Sequence, residues 1–217
     1  CNNCTSDLNA WVNLFKEYQE LMGIPVDMNE IYGKLYNHAL TGNADCGGLI
    51  SYNYISGEPI TGMEEGRPMF VRSAGDKFNL ANFMRAHLHA SVGVLKIGND
   101  ILFNEEKIRV DRITGHGGLF KTKGVGQRIL AAAINSPISV METAGEGGAW
   151  GMALLGSYLV NNPKGMSLED YLEEVVFGGN TGEEIAPTKE EVAGFNAYIE
   201  NYKACLPIEA AAVQAKK

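Results

Sequence analysis

The 217-residue sequence is short of cysteine, of positive charge and of long apolar runs. Its four cysteines are Cys1, Cys4, Cys46 and Cys205. Cys1 and Cys4 form a single C-x-x-C at the terminus, and no second pair is spaced to complete a zinc site. No βαβ pattern precedes the pair to make it thioredoxin-like. Reduced thiols in a cytoplasmic protein are the plain reading. Lysine and arginine number 18 against 26 acidic residues, a net charge of −8. That balance argues against nucleic acid or an anionic membrane as partner. No apolar run approaches the length of a membrane-spanning helix. A signal peptide, an internal repeat and a low-complexity segment are all missing. So is a Walker loop, which needs Gly, four residues and then Gly-Lys-Ser/Thr. A Rossmann fingerprint fails too, because Gly115-x-Gly117 is not followed three residues later by glycine.

What is present is ordinary globular material, 45% hydrophobic and 20% charged, enough for a sizeable core. The pattern predicts one domain with a helical tail. The chain is organised around residues 109–158, which read strand, glycine loop, helix, strand, glycine loop, helix. A strand over 108–113 runs into Gly115-His116-Gly117-Gly118. The next helix is expected to start at Lys121 or Thr122, with Val125, Ile129, Leu130 and Ala133 on one side. A second strand covers 138–141, and Glu146-Gly147-Gly148 leads into a helix over 149–160. A glycine pair after a strand lets another group approach the backbone, because no Cβ stands in the way. The helix start beyond it offers unpaired N–H groups and the positive end of a dipole. That combination suits a nucleotide or another anion. It equally makes a tight strand-to-helix turn that binds nothing.

Two such loops in tandem resemble the adenosine-binding region of the FGGY carbohydrate kinases, within the actin/hexokinase superfamily. The family run is D-G-G-A or G-G-G-A, a small polar residue, a Gln, and later E-x-x-A-L-G-A-A. Here His116-Gly117-Gly118-Leu119 takes the first part, Thr122 the polar place and Gln127 the Gln. Glu146-Gly147-Gly148-Ala149-Trp150-Gly151-Met152-Ala153 takes the last. Two positions depart from the pattern: His116 stands for Asp or Gly, and Trp150 for Leu.

Before this stretch, a helix is expected over 7–23, capped by Thr5 or Ser6, with Leu8, Trp11, Val12, Phe15, Tyr18 and Met22 as its core stripe. A second helix covers 29–40, and a strand 47–55. Ser56-Gly57-Glu58-Pro59 and Glu65-Gly66-Arg67 resemble the family's G-E-R-T-P and A-R-G runs, in a loop that the family turns toward its interdomain cleft. Without the resemblance, Glu58 and Arg67 read as a surface ion pair of little worth. A long helix over 79–103 presents Leu80, Phe83, Met84, His87, Leu88, Ser91, Val94 and Leu95 to one side. Arg85-Ala86-His87-Leu88 on it resembles the family's R-A-x-L helix. His87 and His89, two apart, point to different sides and make poor joint metal ligands. Ser167 caps a helix over 168–176, 178–182 is a surface loop, and a helix from Pro187 carries Val192, Phe195, Tyr198, Ile199 and Tyr202 on its buried side. Pro207 is expected to break it, leaving 208–217 as a short amphipathic end.

The resemblance, xylulokinase-like in the Ser56–Pro59 run and the Arg85 helix, implies an α/β fold. That fold is a ribonuclease H-like, actin-like ATPase domain with a mixed sheet and helices on both faces. It reads the chain, which begins without Met, as a fragment: residues 1–217 are the C-terminal kinase domain, with 165–217 a helical tail. It implies the nucleotide half of an ATP-dependent sugar kinase acting on a pentulose such as xylulose, with glycerol kinase and ribulokinase as close competitors. A non-enzymatic ATP-binding or sugar-sensing module is the alternative of a different class. The cofactors implied are ATP and Mg2+, and the partners ATP/ADP, a sugar held mainly by an N-terminal domain, and in one arrangement a second copy in a homodimer. No catalytic base and no metal ligand are expected here, because the family's Asp lies upstream of Cys1. By resemblance, Gly117 and Gly118 let the nucleoside approach, Leu119 and Lys121 flank adenine or the α-phosphate, and Thr122 hydrogen-bonds the base. Glu146 is assigned to loop structure.

Overall fold

The computed structural model describes residues 2–110, 113–141, 144–145, 147–162, 165–178 and 182–215. Two helices open the chain, α1 (Ser6–Leu21) and α2 (Met28–Ala39). Asp27 caps α2, its carboxylate accepting from the N–H groups of Asn29 at 2.8 Å and Glu30 at 3.4 Å. Thr5 holds the N-cap position of α1 without a side-chain bond. The expected core stripe of α1 holds for Leu8 and Val12, whereas Tyr18 and Met22 are exposed. Only the first half of that helix has neighbours to bury it.

Strand β1 (Ile50–Tyr52) is shorter than 47–55 because Gly47 and Gly48 take positive φ in a tight turn before it. It pairs antiparallel with β2 (Met69–Val71), a strand for which the sequence carries no expectation. Helix α3 (Leu80–Asp100) follows, capped by Asn79, whose side chain accepts from the N–H of Asn82 at 2.9 Å. Every residue of α3 from Ala81 to Val94 is buried, so it has no single buried side. It packs against α2, β1 and the later α4. Leu80 and Leu95, expected inside, are exposed at the ends of that buried run.

Beyond a π-helical turn (Ile101–Glu105), β3 (Ile113–Gly115) pairs parallel with β4 (Ile138–Val140). Strand β4 pairs antiparallel with β5 (Glu183–Ile185). Among the described residues five strands thus form two sheets, one antiparallel pair and one mixed sheet in the order β3-β4-β5. The expected strand over 108–113 is displaced: residues 108–110 are not strand, and 111–112 lie outside the described residues. Helix α4 (Val125–Ile134) crosses from β3 to β4 and covers one side of the mixed sheet. Helix α5 (Gly147–Asn161) contains no charged residue, and none of its side chains is buried.

Ser167 caps the short α6 (Leu168–Asp170), accepting from the N–H of Asp170 at 3.1 Å, and a π-helical stretch continues to Phe177. The last helix, α7 (Lys189–Ala215), runs straight through Pro207. The predicted break there is wrong. Docking on both sides of the proline holds the helix against the loss of one backbone bond. Before it, Phe195, Tyr198, Ile199 and Tyr202 sit in the core, and after it Glu209 is buried. The Tyr52 hydroxyl donates to the Tyr202 carbonyl at 2.6 Å, tying β1 to α7.

Candidate functional site

The first glycine loop is built by close approach and left-handed backbone. A Cβ on Gly115 would stand 2.5 Å from the Phe120 ring. Gly117 takes φ 109° and ψ −179°, a conformation that only glycine adopts without strain. A short 3-10 turn (Gly118–Phe120) follows, and Gly124 at φ 77° starts α4. Helix α4 therefore begins at Val125, not at Lys121 or Thr122. The intervening turn consumes two of the freed N–H groups: Phe120 donates to the Gly117 carbonyl at 3.0 Å, and Lys121 to the Gly118 carbonyl at 3.1 Å.

The two glycine loops meet. The N–H of Gly117 donates to the carbonyl of Ala144 at 2.7 Å. A Cβ on Gly145 would lie 3.1 Å from Lys121 Cγ, so the lysine stem runs along the second loop. A Cβ on Gly147 would lie 3.0 Å from His116 Cβ, so His116 packs where the second loop turns into α5. Glu146 lies outside the described residues.

The five expected contact residues occupy different environments. Gly118 is exposed, and a Cβ there would meet nothing within 4 Å. Gly117 and Thr122 are half-buried, and the Thr122 carbonyl accepts from the N–H of Val125 at 3.3 Å. Leu119 is 7% exposed and belongs to the core, so its side chain faces inward. Lys121 is exposed and lines a cleft of about 400 Å3 with Phe120, Lys123, Gly124, Gln127 and Glu183. Lys123 Nζ lies 2.8 Å from a Glu183 carboxylate oxygen across exposed surface, a pair worth little by itself.

The far wall of this cleft was not legible. Gly182, expected in a surface loop, lies immediately before β5 and outside any strand, and a Cβ there would stand 2.7 Å from the Val140 carbonyl oxygen. Residues 179–181 of that expected loop lie outside the described residues. Gln127 locks the wall in place. Its Nε2 donates to the carbonyls of Ile138 at 2.6 Å and Glu183 at 2.7 Å, binding α4 to β4 and β5.

The loop through Glu58 has a different role from a surface ion pair. Glu58 is 2% exposed, and one carboxylate oxygen accepts from the N–H groups of Asn2 at 2.7 Å and Asn3 at 3.1 Å and from Asn3 Nδ2 at 2.9 Å. The N–H of Arg67 donates to Glu209 at 2.5 Å. The loop is thereby stapled to both ends of the described chain. A Cβ on Gly57 would stand 2.2 Å from the Glu64 carbonyl oxygen, which is why the turn needs glycine.

His87 and His89 point to different sides of α3, as their spacing predicts. His87 Nδ1 lies 2.8 Å from Ser51 Oγ, and His89 Nε2 lies 3.2 Å from the Ala44 carbonyl. Burial holds both imidazoles neutral, lowering each pKa to about 3. Among the described residues no group of three or more His, Cys, Asp or Glu side chains could hold a metal ion. No helix among them is long and apolar enough to cross a membrane.

Comparison with solved structures finds the same fold. Xylulose kinase from Rhodospirillum rubrum matches 94% of this chain and 37% of its own, with a TM-score of 0.62 and 18% identity. Gluconate kinase from Lactobacillus acidophilus matches 79% of this chain and 34% of its own, with a TM-score of 0.59 and 21% identity. Glycerol kinase from Plasmodium falciparum, solved with ADP, matches 91% of this chain and 37% of its own, with a TM-score of 0.60 and 15% identity. The chain thus spans less than two-fifths of the length of these structures. Comparison with curated protein sequences found no match. At these identities the likeness establishes the fold, an α/β domain of the actin-like ATPase type. The model of the FGGY family of carbohydrate kinases, C-terminal domain, matches residues 1–160, and that span takes in α1, the Glu58 loop and both glycine loops. The chain belongs to this family, as a C-terminal domain of an FGGY carbohydrate kinase.

Proposed function

We propose that this chain is the nucleotide-holding half of a cytoplasmic, ATP-dependent sugar kinase that phosphorylates a pentulose such as xylulose. The domain spans 1–217, with 165–217 as its helical end, and the sugar is held mainly by an N-terminal domain. An Asp of that domain serves as general base on the attacking hydroxyl, so the C-terminal half alone is inactive. The observation that carries the reading is the junction of the two glycine loops, with Gly117 bonded to Ala144 and Gly118 open beside it. Backbone without a Cβ, next to Lys121 and the start of α4, suits an adenosine and its first phosphate.

Within this reading Gly117 and Gly118 admit the nucleoside. Leu119 contributes through its backbone, because its side chain is in the core. Lys121 reaches the α-phosphate, and Thr122 hydrogen-bonds the base. The described side chains offer Mg2+ no cage of their own, and the ion is proposed to arrive on the phosphates of the nucleotide substrate. Positioning and closure of two domains then supply the catalysis.

The same reading has two other members. The glycerol kinase structure shares this fold almost as closely as the xylulose kinase structure, and a polyol is the alternative acceptor. His116, exposed beside Gly147, stands where the family pattern has Asp or Gly and favours a module that binds nucleotide as a switch without transfer.

The test is calorimetry with ATP-Mg and ADP-Mg on the wild type and on Gly118→Gln. Gly118 has open space around its Cβ position, so the variant keeps the fold while blocking the approach. Binding lost in Gly118→Gln supports the site, and binding unchanged refutes it. A phosphorylation screen of xylulose, ribulose, glycerol and gluconate follows, using the polypeptide that joins this domain to an N-terminal domain. Nucleotide binding without transfer to any acceptor selects the switch.

A further inference from the structure

A second cavity, of about 380 Å3, lies where the end of α3 and the π-helical turn after it meet the carboxyl end of α4 and the first turns of α7. Ile113, the first residue of β3, and Ser136, two residues before β4, line it, so it sits at the starting ends of the two parallel strands. The glycine loops leave the opposite ends of those strands, and α4 runs between the two places. The volume is that of a small-molecule site and nearly that of the cleft beside Lys121.

The lining combines two chemistries. Phe103, Ile113, Ile134 and Val192 give apolar surface. Asn104, Asn135, Ser136 and Asn196 give amide and hydroxyl groups, each able both to donate and to accept. The charged residues of the described lining are Lys96 and Asp100, and they neutralise each other: Lys96 Nζ donates to Asp100 Oδ1 one turn along α3. Asn104 Nδ2 adds a donation to that oxygen at 3.4 Å. An anion therefore meets no uncompensated cation among the described residues, and the negative end of the α4 dipole opposes it. A cation meets a carboxylate already paired. A purely apolar ligand strips water from amides and a hydroxyl without replacing its hydrogen bonds. A neutral molecule with one C–H face and a rim of hydroxyls satisfies both parts of the lining. We propose that this cavity binds a neutral, polyhydroxylated molecule of about the size of a single sugar or polyol. Its C–H face lies on Phe103 and Val192, and its hydroxyls bond to Asn135, Ser136 and Asn196. The site lies at the other end of α4 from the glycine loops and does not rest on the nucleotide reading.

The test is amide chemical-shift mapping of this chain by NMR during titration with xylitol and with glucose, beside inorganic phosphate and methylammonium as charged probes. Saturable shifts are expected over 96–104, 134–136 and 192–196 with at least one of the two neutral probes, and none there with the charged ones. Asn135→Gly removes the amide and suits the φ of 48° at that position, and Asn196→Ala lies on an exposed turn of α7, so both variants keep the fold and their own spectra show it. Each is expected to weaken binding by about fivefold, the worth of one hydrogen bond. No saturable shift with either neutral probe, shifts confined to other parts of the chain, binding of phosphate or methylammonium in their place, or affinity unchanged in both variants each overturns the proposal. None of these results bears on nucleotide binding at the glycine loops, which calorimetry reads separately.

Discussion

The N–H of Gly117 donates to the carbonyl of Ala144 at 2.7 Å, joining two glycine loops separated by a helix and a strand. The bond depends on the φ of 109° at Gly117. A side chain there forces the loop out of a glycine-only region, at a cost of about 1–3 kcal/mol. Gly117→Ala is therefore expected to lower stability by that amount in denaturant unfolding. Gly118→Ala, in open space, is expected to change it by less than about 0.5 kcal/mol.

Gln127 is the second tie that holds the site together. It is 4% exposed, and its amide satisfies the carbonyls of Ile138 and Glu183. Gln127→Leu leaves both acceptors without that donor and is expected to cost about 1–3 kcal/mol. Nucleotide affinity should fall with it, because the wall formed by β4 and β5 loses its tie to α4. Unfolding midpoints and calorimetry on the same variant check both outcomes.

Glu58 tests the correction to the sequence reading. A surface ion pair predicts almost no effect of Glu58→Ala. The buried carboxylate holding Asn2 and Asn3 predicts a loss of about 3 kcal/mol, read as a lower unfolding midpoint.

The buried imidazoles set a pH dependence. His87 and His89 titrate near 3 in the fold and near 6.5 when unfolded, so the unfolded chain binds more protons between those values. Their stabilisation is fully present above about 6.5 and is lost as pH falls toward 3, by at most about 1.4 kcal/mol per pH unit each. Asp7 and Glu209 act in the opposite sense. Burial raises their carboxyl pKa values, so their contribution improves as pH falls through that raised range. The histidine share is isolated by comparison. His89→Phe, which keeps the stack on Phe195, is expected to flatten the decline in melting temperature between pH 6.5 and 4.5.

The parts of the molecule that were legible in the sequence are those fixed by local chemistry. Helix spacing placed Phe195, Tyr198, Ile199 and Tyr202 in the core, and Gly115, Gly117 and Gly118 marked the first loop. The parts that were not legible depend on distant partners. Strands β2 and β5 are three residues long and exist through pairing with β1 and β4. Pro207 looked like a break because the docking that carries α7 past it comes from Arg67, 142 residues earlier than Glu209. Glu58 looked solvated because its partners are 55 and 56 residues away. The exposed side of α1 looked like core because apolar spacing alone does not say which face has a neighbour.

The most direct test of the nucleotide site is backbone hydrogen exchange with and without saturating ATP-Mg. The account predicts slowed exchange over 115–124 and 144–148, where the two loops meet, and little change along α1 or the Glu58 loop. Exchange unchanged by nucleotide, or protection that falls outside both glycine loops, would contradict it.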